Sequence, residues 1–461
     1  MGSAIDLSHV GTKIGGDELR IQRDSVSDLL NRRTTSFPGA QPVSFSRHHI
    51  EELQRIDYFM CEKTDGIRCL LYLTQFVDER GHMNEMQFLI DRKNDYYFIA
   101  REAMHIPPEG QDLAAFHTGT ILDGELVLQK HAAGTRIAYL IFDLLAIGGE
   151  NFMNKTFDKR FGRADDFIYK PYRKFAQRYA EDVANQPFDL RLKKMELPYG
   201  AEMMFRDVMP NLPHGNDGLI FTCVSTPYTS GTDRHILKWK PPHENTIDFR
   251  LDIEGFPNMD DGEETYEDWD AKPELHLLVN HGDKRYEYFA NLNITDAEWE
   301  AMKAMNQMLD GRIIECYRDP LTAHWRPKIE EDGTPRFRDD KVDANHISTV
   351  ESVLQSIKDA VSEQDLIDAA PKIRAAYKER LAKVAARRQE AKHQEAKHQE
   401  AARAAQAQQH RLNSQVMRET GGKREVDMKR EADVKREVDL RREADAKEAE
   451  DEEDVGPRYE D

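Results

Sequence analysis

FMCEKTDGIRCLLYL, residues 59–73, sets Lys63, Asp65 and Arg68 between two apolar runs that read as buried strand. A lysine flanked by apolar strands is costly unless it is neutral or paired. A desolvated lysine beside other cations also gives up its proton more easily, which makes it a nucleophile able to attack phosphorus. The same letters admit a plainer reading: Asp65 and Gly66 as a hairpin tip, with Lys63 and Arg68 simply exposed beside it. The neighbourhood of the stretch has to decide.

Working outward, residues 45–250 show short apolar runs split by turn signals: FMCEKTDGIRCLLYLTQF, EMQFLIDRKNDYYFI, GTILDGELVLQ, RIAYLIFDLLAI, DGLIFTCV and HILKWKP. Their length and their aromatic and β-branched content predict strands. One helical piece, DKRFGRADDFIYKPYRKFAQRYAEDVANQ, interrupts them, so residues 1–245 are expected to form an α+β domain. Residues 246–345 pack shorter strands (IDFRLDIEGF, ELHLLVN, RYEYFAN, RIIECYRD) around one late helix, TDAEWEAMKAMNQML, which suits a small barrel of the OB type. A helix at SVLQSIKDAV, within 346–375, is expected to pack back on the body.

Residues 376–461 stop looking globular. A five-residue repeat (QEAKHQEAKHQEA) and a six-residue repeat (KREVDM, KREADV, KREVDL, RREADA) put no apolar stripe on a helix, so no coiled-coil seam is expected. Glu425–Lys429, Glu431–Lys435, Glu437–Arg441 and Glu443–Lys447 are i,i+4 pairs, each worth about 0.2–0.5 kcal/mol in an isolated helix. The tail reads as a solvated single helix or a disordered segment. It carries 20 basic and 21 acidic residues, so the net charge of −20 belongs to the rest of the chain.

That acidity argues against binding nucleic acid by overall charge, and any such contact must be local. NMDDGEETYEDWD (258–270), seven carboxylates with no base among them, reads as an exposed loop or as the landing site of a basic partner. No apolar run approaches the roughly 20 residues of a membrane span, and MGSAIDLSHV lacks an apolar signal core, so no membrane partner is expected. Four scattered cysteines (Cys61, Cys69, Cys223, Cys316) show no CxxC spacing, which fits a reducing compartment. The Walker pattern GxxxxGKS/T is absent, and the Gly15–Gly16 pair reads as a turn. His48 and His49 are placed before a helix start, and no histidine has metal-ligand spacing with a second candidate.

Downstream of KTDGIR come LDGELV (Asp123, Glu125), IFDLL (Phe142, Asp143), NDGLIF (Asp217, Gly218), LKWKP (Lys238, Lys240) and RFRDDK (Arg336, Arg338, Asp340, Lys341). Each alone is a turn or a solvated strand end. Together and in this order, over about residues 45–350, they resemble the six motifs of the covalent nucleotidyltransferases, the mRNA capping guanylyltransferases and ATP-dependent polynucleotide ligases. KTDGIR, the YTSGTDRHILKWKPP segment and RFRDDK followed by Asn345 resemble the fungal, monofunctional capping type. PKIEEDGTP (327–335) departs from the family by lengthening the link after Trp325, which puts the role of Trp325 in doubt.

The resemblance implies that Lys63 Nζ attacks the α-phosphorus of GTP and is left carrying GMP, which then passes to 5′-diphosphate RNA to form GpppRNA. Cations should ring the triphosphate: Lys238 and Lys240, on one face of a strand, toward the α-phosphate, and Arg338 and Lys341, from the barrel, on the β and γ phosphates when the domains close. Glu125 and Arg68 would take the ribose hydroxyls, Phe142 would stack on guanine, and Thr64 and Arg92 would contact the nucleotide. Asp217 with Glu125 would hold Mg²⁺ or Mn²⁺. Asp65, Gly66 and Asp340 would support the loops that carry these groups. The resemblance also implies a nuclear enzyme that works with a separate RNA 5′-triphosphatase, since no HCxxxxxR loop is present, and with the phosphorylated tail domain of RNA polymerase II. The alternative it leaves is an ATP-dependent polynucleotide ligase using the same lysine.

Overall fold

The computed structural model describes residues 5–100, 104–110, 114–132, 134–260, 265–330, 332–339, 341–419 and 434–438. Strand Tyr58–Thr64 ends just before strand Ile67–Val77 begins, yet the two do not pair. The first lies at the edge of a four-stranded sheet with Asn216–Cys223, Gly231–Trp239 and Ala40–Ser44. The second is a central strand of an eight-stranded sheet, between Met83–Asp91 and Thr120–His131. KTDGIR is therefore the crossing from one sheet to the other and not a hairpin tip.

CLLYL is a continuous apolar run because both faces of its strand are covered. Cys69, Leu71 and Leu73 pack with Ala164, Tyr172 and Phe175 of the helices Phe157–Ala164 and Lys170–Arg178. Leu70 and Tyr72 face the other way, toward Val26 of helix Gly16–Leu29 and toward Tyr228. That second helix was not foreseen: Gly15 and Gly16 open it, with Gly16 at φ +60°, where a turn was expected. The long helical piece breaks into Phe157–Ala164, Lys170–Arg178 and Ala180–Ala184, the first two joined by a wider π turn at Asp165–Tyr169.

The barrel segment is a five-stranded antiparallel sheet. Its chain-order strands Thr246–Glu254, Glu274–Asn280, Tyr286–Asn291, Ile313–Arg318 and Trp325–Pro327 are arranged third, second, first, fourth, fifth. Helix Asp296–Ala304 sits between the third and fourth strands, as in an OB fold, and ends earlier than its sequence suggested, at Asn306 with φ +50°. Trp325 is a core residue here, edge-on to Phe249 at 5.1 Å and to Phe289 at 5.9 Å, which gives it a packing role. In the extra PKIEEDGTP, Ile329 pairs with Pro335 and Gly333 turns at φ +86°, while residue 331 lies outside the described residues. The acidic stretch 258–270 is not simply a loop. Asn258–Asp260 pairs with Thr265–Glu267, and residues 261–264 lie outside the described residues.

Helix Ile347–Lys358 covers the small sheet through Val350. Helix Glu363–Glu419 then returns to the four-stranded sheet, burying Leu366, Ala369 and Ile373 against Phe221 and Trp239. The indole N–H of Trp239 donates to the Val361 carbonyl at 2.8 Å, and Arg380 donates to Asp57 at 2.8 Å. From Leu381 to Ser414 every side chain is exposed, so this part of the tail is a solvated single helix.

Candidate active site

The pocket lies between the eight-stranded and four-stranded sheets, and Lys63, the penultimate residue of its strand, stands at the crossing. Gly66 has to be glycine. A Cβ there would come 2.4 Å from the Leu126 carbonyl oxygen. The crossing strand is thus pressed against Thr120–His131, whose Glu125 pairs in register with Arg68.

Strand Asn216–Cys223 is irregular between Asn216 and Leu219, and Gly218 at the irregularity has φ +142°. A side chain there would collide with the Trp239 carbonyl at 2.0 Å, so glycine lets the strand kink and aims Asp217 at the lysines. Lys63 Nζ donates to Asp217 Oδ1 at 2.6 Å, and Lys240 Nζ lies 2.7 Å from Asp217 Oδ2. Burial works to raise the Asp217 pKa, but Lys240 and Lys63 outweigh it and hold the carboxyl below its usual range. Lys238, two residues before Lys240, has its pKa lowered by burial and by the neighbouring charges of Lys240, Lys63 and Arg92. Lys63 and Arg92 line the pocket, and Lys238 and Lys240, which line the separate cavity beside Trp239, bring further positive charge next to Lys63 and Asp217.

Deeper in, Thr64 donates its hydroxyl to Glu125. Arg68 donates to both oxygens of Asp123, at 3.0 and 2.6 Å, and to the Ala40 carbonyl, and its guanidinium stands 5.6 Å from the centre of the Phe142 ring. Lys63, Thr64, Arg68, Arg92, Glu125 and Phe142 all line this one pocket. Arg68 is so fully bonded to Asp123 and Ala40 that its first duty in this structure is to hold two strands together.

The structure does not bring every expected residue here. Arg338 lies 3.3 Å from Asp248 and 3.6 Å from Glu315, and Lys341 also pairs with Asp248, both acids being on the five-stranded sheet. Both cations rest on acids of that sheet. Asp65 is at the crossing, its N–H donating to the Gly215 carbonyl at 3.0 Å, a loop-shaping contact. Asp340 lies outside the described residues. His48 and His49 sit inside the first turn of helix Arg47–Arg55, where His49 Nδ1 accepts from the Ser46 N–H at 2.8 Å. They also converge with Glu52, a grouping their sequence spacing did not suggest and one remote from the pocket.

Sequence reasoning missed Lys193. It is buried, donates to Thr64 Oγ1 at 2.9 Å, lies 3.7 Å from Glu62 and stands 5.8 Å from the centre of the Phe142 ring. Burial alone would lower its pKa, but the Cys61 sulfur and the Glu62 and Glu125 carboxylates more than offset this, so it stays an ammonium. Its only signal was a lysine pair closing the run DLRLKK, which reads equally as a solvated strand end. The pairing of Asp143 with Arg160 spans two separate elements and is not legible from either motif alone. Arg160 holds Asp143 at 2.7 Å and fixes the strand that presents Phe142.

Residues 6–242 match the family model of the mRNA capping enzyme catalytic domain, and residues 244–367 match that of the mRNA capping enzyme C-terminal domain. The chain is 46% identical over 401 residues to the mRNA-capping enzyme subunit alpha of Neurospora crassa, covering 83% of this chain and 96% of that protein. It is 44% identical over 374 residues to the mRNA-capping enzyme subunit alpha of Schizosaccharomyces pombe, covering 81% and 89%. Among solved structures, a mycobacterial DNA ligase D complexed with ATP and MES matches at 15% identity and a TM-score of 0.29, over 66% of this chain and 95% of that one, too slight a likeness to bear on substrate. With two family models in tandem over a pocket built around one lysine, the chain belongs to the mRNA capping enzyme family.

Proposed function

We propose that the protein is an mRNA guanylyltransferase. Lys63 Nζ attacks the α-phosphorus of GTP, a nitrogen–phosphorus bond forms as the bond to pyrophosphate breaks, and the terminal phosphate of 5′-diphosphate RNA then displaces the lysine to give GpppRNA. The observation that carries this reading is the position of Lys63. Its amine is fixed by Asp217 at 2.6 Å at the cationic end of a pocket whose far end is lined by Phe142 and Lys193. Attack requires the neutral amine, and Asp217 Oδ1 is the acceptor nearest the proton that must leave. Lys238 and Lys240, beside Asp217 and Lys63, would neutralise charge on the α-phosphate, and phosphoryl transfer depends mostly on such positioning.

GTP is the substrate that the pocket's inner end favours. The Lys193 ammonium beside Phe142 can donate to the O6 and N7 acceptors of a stacked guanine, whereas adenine presents an amino donor at the corresponding carbon. Glu125 and Arg68 would take the ribose hydroxyls. Asp217, ionised despite its burial, fits a hard divalent cation such as Mg²⁺ or Mn²⁺, with Glu125 as the second candidate ligand. Such an ion would neutralise phosphate charge. Arg338 and Lys341 reach the β and γ phosphates only if the small sheet swings over the pocket and they exchange Asp248 for phosphate oxygens.

The relatives bear the name subunit alpha, which supports a partner subunit, and the chemistry calls for RNA. A separate RNA 5′-triphosphatase, the phosphorylated tail domain of RNA polymerase II and a nuclear location complete the proposal. No helix among the described residues is long and apolar enough to cross a membrane. Incubation with α-labelled GTP or ATP, followed by denaturing gels, tests the reading. Label from GTP alone, absent in Lys63→Ala, is expected, and label from ATP instead would favour a ligase.

A further inference from the structure

A second cavity, about 800 Å³ and open to solvent, adjoins the nucleotide pocket. Strand Ala40–Ser44 separates the two: Ala40 and Pro42 line the pocket, while Gly39 and Gln41 line the groove, and Arg92 lines both. Besides Arg92, the groove is lined by Arg23, Arg33 and Lys93, and by no carboxylate. Arg23 is committed to the Asn94 carbonyl, at 2.6 Å, and so braces the groove wall. Arg33, Arg92 and Lys93 are exposed, and none has a carboxylate partner among the described residues. In a chain of net charge −20, a run of unneutralised cations that begins beside the reacting lysine is a local exception that calls for an anion.

We propose that this groove holds the acceptor RNA strand, its 5′-diphosphate at Lys63 and the next phosphates passing Arg92 to Lys93 and Arg33. The proposal rests on the guanylyltransferase reading and adds where the second substrate lies. The acceptor must begin at the guanylated lysine, and the groove is continuous with that point through a shared arginine. A polyanionic peptide would have no reason to start there. Phe37, half-buried in the groove wall, offers an aromatic surface of the kind single strands stack on.

The test uses the full chain carrying Arg33→Glu, Lys93→Glu or both. Three activities are measured: GMP attachment from α-labelled GTP, transfer to a 5′-diphosphate RNA of about 20 nucleotides, and transfer to a 5′-diphosphate dinucleotide. The expected result is unchanged attachment, unchanged transfer to the dinucleotide, and a fall of about tenfold or more in kcat/KM for the long RNA. Each neutralised contact should also flatten the salt dependence of long-RNA transfer by about 0.7 in the log–log slope. A 4-thiouridine placed near the RNA 5′ end should crosslink to peptides carrying residues 33–37 or 92–94, which reports on the unmutated protein. Equal losses with long and short acceptors, no loss with either, or crosslinks confined to other surfaces would overturn the proposal. So would loss of phosphoserine-peptide binding with long-RNA transfer intact. If the unmutated protein takes no label from GTP, the guanylyltransferase reading fails instead, and the two failures are distinct.

Discussion

Replacing Lys193 by methionine keeps the length of the side chain and removes its charge, and the surroundings predict two separate losses. The first is stability. Glu62 is itself buried, and its pKa is held down, against burial, by Lys193 and by the nearby His214, whose Nε2 is 3.7 Å away. Removing one partner of a buried ion pair costs about 3–5 kcal/mol, and the remaining His214 puts this case near 3. For a domain of this size, that lowers Tm by about 6–12 °C.

The pH dependence has a definite sign. A carboxyl with a depressed folded pKa stabilises the fold above its unfolded pKa, and this is lost as pH falls through the folded value. Without Lys193, Glu62 protonates at higher pH, so the Tm gap between wild type and Lys193→Met should be widest at neutral pH and shrink toward pH 4. Adding Glu62→Gln to the variant should recover most of the loss. The second effect is on nucleotide choice. Loss of a charged donor to the base is worth about 1.5–3 kcal/mol, roughly a 10- to 100-fold drop in preference for GTP over ATP. Thermal melts across pH and competitive labelling read the two separately. A variant as stable as wild type at pH 7, or one with unchanged GTP preference, would refute the respective half of the reasoning.

Gly66→Ala should sharply reduce guanylate attachment, because its Cβ would meet the Leu126 carbonyl at 2.4 Å and push the Lys63 crossing away from Glu125; gel labelling at saturating GTP reads the loss. Asp217→Asn keeps the shape but removes the charge that orients Lys63 and Lys240, so attachment should fall at least tenfold, about 1.4 kcal/mol of barrier, while the circular dichroism spectrum stays unchanged. Truncation after residue 382 should leave guanylate attachment intact, since every side chain described beyond it, through Ser414, is exposed. Truncation after residue 360 should destabilise the protein, because it strips Leu366 and Ile373 from the core and leaves the Trp239 indole N–H without Val361.

Much of this was legible because it is local. Strands announced themselves through apolar runs and turn residues, and Lys63, Glu125, Asp217 and Lys240 lie in short motifs whose order carries the chemistry. What could not be read depends on which sheet a strand joins. KTDGIR looks like a hairpin by every local measure, and only the partners of Tyr58–Thr64 and Ile67–Val77 make it a crossing. Lys193 was invisible for the same reason. Its strand Asp189–Leu192 joins Gly134–Ile147 in parallel, a long-range pairing that carries the following lysine under Thr64. Helix Gly16–Leu29 was overlooked because its sequence is mostly polar and only Val26 among its apolar side chains is fully buried. Arg338 and Lys341 were read for the role they would have over a bound nucleotide, whereas here Asp248 is the better partner.

The central claim is that one amine, Lys63 Nζ, becomes bonded to GMP. Mass spectrometry of peptides from protein incubated with GTP and a divalent cation tests it most directly. A single acid-labile GMP adduct is expected, on the peptide carrying Lys63, released when 5′-diphosphate RNA is added. A GMP adduct on another residue, or an AMP adduct formed in preference from ATP, would contradict it.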